Sequence, residues 1–264
     1  MALLTDLEHY YKLESDGTDS HASTDLTVNN SPSFVTGKIG KAVDLNGSNQ
    51  DLTGTMSTEF DGSFTISMWI NLDNVTADMR FMQSYVSSYG NYWWLIFLQG
   101  TANDRIGFSL YNGTQNPTIL AAADSADAMV GNWVHVVAVR DTVADEIRCY
   151  QNNVAINTAV TDTTTSVPTY SGIALGSGNS STEFTNGQID EVGIWSRALT
   201  TDEISDLYNS GDGLAYPFST GINMQVNISD VWKEGSAAKI NISDDWKEVV
   251  GIQQNISDTW KTVF

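Results

Sequence analysis

Along the first 218 residues, short runs of alternating apolar and polar positions are separated by clusters of Gly, Asn, Asp and Ser, the pattern of strands and turns. In SFTISMWINL (63–72), Phe64, Ile66, Met68 and Ile70 share one face, and Thr65, Ser67, Trp69 and Asn71 share the other. RIGFSLYNG (105–113) sets Ile106, Phe108 and Leu110 on one face. NWVHVVAVRD (132–141) and EIRCYQNNVAI (146–156) read as a hairpin around Thr142 to Asp145, and 172–178 and 187–199 supply two more strands. One segment, TTDEISDLYNSG (200–211), has helical spacing instead. Thr200 or Thr201 can cap it, Glu203 lies in its first turn, Ile204, Leu207 and Tyr208 fall on one face, and Gly211 is a natural stop. Many short strands with a single short helix predict an all-β fold, a two-sheet antiparallel jelly-roll sandwich whose sheets bury their apolar faces against each other.

Beyond residue 218 the pattern changes. NISDVWK from Asn227, NISDDWK from Asn241 and NISDTWK from Asn255 recur in register at a spacing of 14, which marks a repeat module. Each unit reads strand, Ser-Asp turn, strand. A two-residue loop would set Ile228 opposite Val231 and Asn227 opposite Trp232, and likewise one and two periods on; a four-residue loop is the alternative. Isolated hairpins are marginal in water, so three of them, each with a large Trp, need a partner surface. Trp232, Trp246 and Trp260, with Ile228, Ile242 and Ile256, are therefore the candidate oligomerisation or attachment residues. Either the hairpins close into a small prism within one chain, or tails of neighbouring chains intertwine, with a homotrimer favoured. The expected organisation is a β domain over 1–218, a linker over 219–223 and the hairpin repeats over 224–264.

Charge narrows the partners. Twelve basic against 32 acidic residues give a net charge of −20; the stretch from 219 onward carries six acids and four lysines, net −2, which leaves −18 upstream. Such a chain is repelled by phosphate backbones and anionic membranes, which argues against nucleic acid as a partner and leaves cations as the better-matched ions. No window resembles a membrane span, so no membrane insertion is expected. Cys149 is the single cysteine, which excludes an intrachain disulfide framework and a cysteine-rich zinc site; it reads as an inert packed thiol. MALLTDLEHYYKLE has no basic region followed by a long apolar stretch, so the chain reads as made in a cytoplasm.

The order SFTISMWIN, NWVHVVAVRD, Glu146 to Val154, then GQIDEVGIWSRALTTDEISDLYNSG, preceded by GKIGKAVDLNGSNQDL (37–52), resembles the laminin-G-like (concanavalin A-like lectin/glucanase) jelly roll over about residues 5–218. At Asn152-Asn153 the chain departs from the family's usual Asn-Gly, a turn Asn can still make because it tolerates positive φ. The resemblance implies lectin-like, adhesive or spacer roles as readily as enzymatic ones. The glucanase members carry Glu-x-Asp-x-x-Glu on one strand, and that motif does not occur here. Asp145-Glu146 and Asp190-Glu191 would point to opposite faces if extended, so neither pair makes a catalytic couple, and the chain is expected not to be an enzyme. The resemblance also implies one structural Ca²⁺, held by an early Asp and late oxygen ligands. Asp19 aligns best, Asp190 is the late partner and Asp16 lies in the same loop.

FMQSYVSSYGNYWWLIF (81–97) gathers aromatic residues around a Ser/Gly/Asn turn, a mixture suited to stacking on sugar rings. Tyr85, Tyr89 and Tyr92 are the ligand-binding candidates, and Trp93 and Trp94 are better assigned to sheet packing. The Trp-Lys repeats, with LYNSG (207–211) leading to GLAYPF (213–218), resemble the ends of structural proteins of tailed bacteriophages. That resemblance implies a non-enzymatic virion surface protein, such as a capsid decoration, head fibre or tail-fibre component. It would be assembled in the host cytoplasm against capsid or tail proteins and display the jelly roll to a cell-surface glycan. The alternative is a bacterial extracellular lectin or adhesin.

Overall fold

The computed structural model describes residues 2–55, 61–85, 94–100, 104–112, 114, 116–122, 125–164, 172–178 and 183–218, without side chains at 2, 85, 94 and 95, together with the backbone of six strands after 218. The chain divides into two compact units, Met1–Phe218 and Ser219–Phe264. In the first, the strands are β1 (Leu7–Tyr11), β2 (Thr27–Asn29), β3 (Ser33–Thr36), β4 (Lys41–Asn46), β5 (Asp51–Gly54), β6 (Phe64–Leu72), β7 (Met79–Tyr85) and β8 (Trp94–Gln99). They continue as β9 (Arg105–Leu110), β10 (Thr118–Leu120), β11 (Val134–Asp141), β12 (Glu146–Gln151), β13 (Val154–Ala155), β14 (Val160–Thr161), β15 (Gly172–Leu175) and β16 (Asn186–Trp195), and helix α1 (Thr201–Tyr208) follows.

These strands form two antiparallel sheets. One runs β13-β12-β11-β6-β16-β4-β3, with β1 added to β16 and β14 to β12; the other runs β10-β9-β8-β7-β15-β5-β2. Their inner faces enclose the main core, in which Phe64, Ile66, Met68 and Ile70 of β6 meet residues such as Phe108 and Ile173 from the facing sheet. Phe64 and Phe108 touch edge to face with centroids 6.1 Å apart, a favoured aromatic arrangement.

The first sheet is covered on its outer face as well. Leu3, Leu7, Tyr10, Val137, Val139, Trp195, Leu199, Ile204, Leu207 and Phe218 form a second core there, built from α1 and the segment after it. This explains why VHVVAV in β11 is nearly all apolar: Val134, Val136 and Ala138 face the inner core, and Val137 and Val139 face the outer one. Thr65 is wholly buried and fully bonded, since its Oγ1 donates to the Arg197 carbonyl (2.8 Å) and accepts from the Leu199 amide (2.9 Å).

Local chemistry fixes the ends of elements. Thr200 caps α1 with a complete capping box to Glu203, and Asn209 closes the helix in the left-handed region (φ 47°), two residues before Gly211. Asn152 and Asn153 both take positive φ (50° and 63°), the conformation a tight β12–β13 hairpin requires. Cys149 is fully buried, and burial pushes its thiol up to about 12. It is expected to stay unmodified by a thiol reagent such as DTNB under native conditions and to react stoichiometrically in denaturant; rapid native labelling would contradict that.

In the second unit the backbone forms three hairpins. Met224–Ile228 pairs with Val231–Gly235, Lys239–Ile242 with Asp245–Glu248, and Gln253–Ile256 with Thr259–Thr262. Asn227 stands opposite Trp232, Asn241 opposite Trp246 and Asn255 opposite Trp260. Among the described residues no helix is long and apolar enough to cross a membrane.

Candidate functional site

The β2–β3 and β4–β5 turns each pass from one sheet to the other, and they meet at one end of the sandwich. Asn30 and Ser31 in the first turn both adopt positive φ (58° and 52°). In the second, the Asn46 side chain accepts from the amides of Ser48 (2.9 Å) and Asn49 (3.2 Å), an Asx turn that shapes the loop. The turns are tied together, because Asn30 Nδ2 donates to the Asn49 carbonyl (2.5 Å) and Gln50 Nε2 donates to the Asn30 carbonyl (3.2 Å). Gly47 sits at φ 68° with its amide bonded to the Thr185 carbonyl (3.0 Å), and a Cβ there would lie 2.7 Å from that of Asn186. Only glycine lets this loop approach the start of β16 so closely.

A cleft opens on each side of that tie. One, of about 490 Å³, is lined by Ser31, Ser33, Asp44, Asn46, Gln50, Asp73 and Asn186 over the buried Leu45. The other, of about 400 Å³, is lined by Asn29, Asn30, Ser48, Asn49, Asp51 and the half-buried Phe184. Asp51 is held in place by Asn29 Nδ2 (2.8 Å) and Ser177 Oγ (2.6 Å), and Ser33 Oγ leans on Asp44 (3.3 Å). The result is a set of fixed amide, hydroxyl and carboxylate groups that can donate to and accept from a polyhydroxylated ligand, with one aromatic ring at the rim. Sequence reasoning missed this site. Asn and Ser crowding at 29–33 and 46–51 was its one local signal, and Asp73 and Asn186 join only because β4, β16 and β6 are neighbours.

The residues expected at a site have other surroundings. Asp16 bonds its own turn at the Thr18 amide (3.0 Å), and that bond lowers its carboxyl below the usual range. Asp19 accepts from His9 Nδ1 (2.7 Å) and from the amides of Tyr10, His21 and Ala22 (3.1, 3.0 and 3.0 Å). Burial alone would raise this carboxyl, but His9 and the amides bring it down to about 2. Asp190 accepts from the Lys38 and Ile39 amides (2.8 and 3.0 Å) through Oδ2, and its Oδ1 is buried without a hydrogen-bond partner. Among the described residues no three His, Cys, Asp or Glu side chains gather into a metal-holding group, so the calcium expectation rests on resemblance alone. Tyr85 ends β7, at the opposite end of the strand from Met79, whose sulfur touches the Asn186 amide. The Tyr85 side chain, Tyr89 and Tyr92 lie outside the described residues, as do the side chains of Ile228, Trp232, Ile242, Trp246, Ile256 and Trp260.

One expectation is corrected. Asp190 and Glu191 do not point to opposite faces. The β16–β6 register shifts between Asp190 and Gly193, and Glu191 takes φ 49°, so one extra residue is accommodated as a bulge. Ile189 and Val192 both enter the inner core, while Asp190 and Glu191 both fall on the outer side. There the Tyr10 hydroxyl donates to Glu191 Oε2 (2.5 Å), and Tyr216 stacks on the Tyr10 ring at 4.8 Å. Burial pushes the Asp190 carboxyl up to about 8 and the Glu191 carboxyl up to about 7, each opposed in part by its hydrogen bonds.

Because both folded values exceed the ordinary carboxylate range of about 4, the folded protein holds these protons more tightly than the unfolded chain. The stability they contribute is complete below about pH 4 and is lost as pH rises through 7 to 8. The melting temperature is therefore expected to fall between pH 5 and pH 8.5, and Glu191→Gln to flatten that fall; an equally steep profile in the variant would contradict the assignment.

Comparison with known proteins agrees with this architecture. The Laminin_G_3 family model, described as the concanavalin A-like lectin/glucanases superfamily, matches residues 44–205. No curated protein matches the chain by sequence at a significant level. Among solved structures, botulinum neurotoxin type C, which depends on interaction with two ganglioside molecules to get into cells, superposes with a TM-score of 0.63 at 15% identity, over 79% of this chain and 52% of that one. The binding domain of Paraclostridial Mosquitocidal Protein 1 gives 0.64 at 18%, over 79% and 53%. Domain 4 of AbnA, a GH43 extracellular arabinanase from Geobacillus stearothermophilus, in complex with arabinotriose, gives 0.59 at 20%, over 76% and 97%. The chain spans about half the length of the toxin domains it matches, and at these identities the likeness is one of fold.

Proposed function

Because the chain belongs to the concanavalin A-like lectin/glucanases superfamily, we propose that it is a non-catalytic glycan-binding protein that takes sugar in the polar cleft at the end of its sandwich. The observation that carries this reading is the cleft over Leu45, in which hydrogen bonds hold the side chains of Ser33, Asp44, Asn46 and Gln50 in place. The arabinotriose complex and the ganglioside dependence of similar folds support a sugar ligand, the first a neutral glycan and the second a sialylated one. Asp190 and Glu191, the adjacent acid pair, are at most 4% exposed, Glu191 against the Tyr10 hydroxyl and Asp190 against the Lys38 and Ile39 amides, out of reach of a polysaccharide.

The repeats after 218 support a display role: an attachment tail that gathers several weak sugar sites on one particle raises their effective concentration. We place the protein on a virion surface, attached through Trp232, Trp246 and Trp260 to its own copies or to capsid or tail proteins. A glycan array probed with the full chain in calcium-containing buffer is expected to light a discrete subset of sugars; a blank array would remove the glycan role. Light scattering of the full chain is expected to give a trimer, and a monomer mass would rule out self-assembly through the tail.

A further inference from the structure

We propose that the cleft selects uncharged glycans and rejects those bearing sialic acid, sulfate or uronic acid, an inference that rests on the glycan-binding reading above. The described lining of the cleft of about 490 Å³ contains two carboxylates, Asp44 and Asp73, that of its neighbour contains Asp51, and neither contains Lys, Arg or His. The nearest cations along the chain are already committed or distant. Arg80 in β7 spends its guanidinium on Glu183 (2.6 Å) and on the face of Phe97 (5.4 Å). Lys41 stands three residues from Asp44 in β4, roughly 10 Å along the strand and on its opposite face. The upstream unit as a whole carries −18, so the local charge is not offset by its surroundings.

A neutral sugar suits this lining. Its hydroxyls can donate to Asp44 and Asp73 in charge-assisted bonds and accept from the side-chain amides of Gln50 and Asn186. An anionic group placed among the same acceptors meets no Lys, Arg or His among the described lining residues and loses hydration it had in water. Discrimination of at least about tenfold at low salt is expected, shrinking as ionic strength rises because the cleft is open to solvent.

The test compares the full chain on matched probes: neutral oligosaccharides that bind on an array, and the same oligosaccharides capped with sialic acid or sulfate, titrated at low and physiological salt. The capped forms should bind at least tenfold more weakly, with a gap that narrows in salt. The double variant Asp44→Asn, Asp73→Asn keeps the shape of the cleft and removes two charges, so it should close the gap several-fold. A gap that this variant leaves unchanged would mean steric exclusion and overturn the inference, as would anionic forms binding as tightly as their parents. A panel on which neither class binds overturns the glycan-binding reading and this inference with it.

Discussion

Asp162→Ala is expected to destabilise the jelly roll by about 3–5 kcal/mol, the usual result of removing one member of a buried, hydrogen-bonded ion pair. Arg140 in β11 is 5% exposed, and its Nε donates to Asp162 Oδ2 at 2.7 Å. Its Nη1 also donates to the carbonyls of Asp61 (2.8 Å) and Gly62 (3.0 Å), which fastens the segment leading into β6. Asp162 in turn accepts from the Thr164 amide (2.9 Å). Removing the carboxylate takes away the acceptor of the buried Nε and frees the 162–164 turn. In a unit of this size the loss should appear as a drop in Tm of roughly 6–20 °C. The half-buried Arg80–Glu183 pair gives the contrast: Glu183→Ala should cost less than about 1 kcal/mol, because both side chains are still partly in water. Equal effects at the two sites would show that the Arg140 environment is misassigned.

The second large effect is on binding. Asp44→Ala combined with Asp73→Ala is expected to weaken binding of a neutral oligosaccharide at least tenfold while moving Tm little. Each carboxylate offers hydroxyls a charge-assisted bond of about 1.5–3 kcal/mol, and tenfold in affinity corresponds to about 1.4 kcal/mol. Asp73 is exposed just past the end of β6 and Asp44 is half-buried, so neither substitution opens a hole in the core. The tyrosine-rich segment that follows Tyr85 in the sequence is the rival site. Binding kept in the aspartate variant and lost in Tyr89→Ala would move the ligand to that segment.

What could be read from the chain follows the range of the forces involved. The alternation of β6, the Thr200–Glu203 cap and the positive-φ turn at Asn152 and Asn153 are decided within a few residues, and they stand in the structure where the local pattern puts them. The burial of Thr65, Ser67 and Trp69 on the other face of β6 was not legible, because it depends on α1 and residues up to Phe218 folding back over that sheet. The bulge at Asp190 and Glu191 escaped for a related reason. Strict alternation assigns faces by counting, and one accommodated extra residue reverses the count. The cleft is the extreme case: Asn30, Asn46, Asp73 and Asn186 converge through a strand order that no single segment encodes.

The most direct measurement is a ¹H–¹⁵N NMR titration of the full chain with a neutral oligosaccharide that binds on the array. Binding in the cleft predicts saturable shifts at the side-chain amides of Asn46, Gln50 and Asn186 and at the backbone amide of Asp73, which bonds the Asn186 carbonyl at 3.1 Å. Resonances at those four residues that stay fixed while others move with the ligand would place the sugar elsewhere and contradict the site.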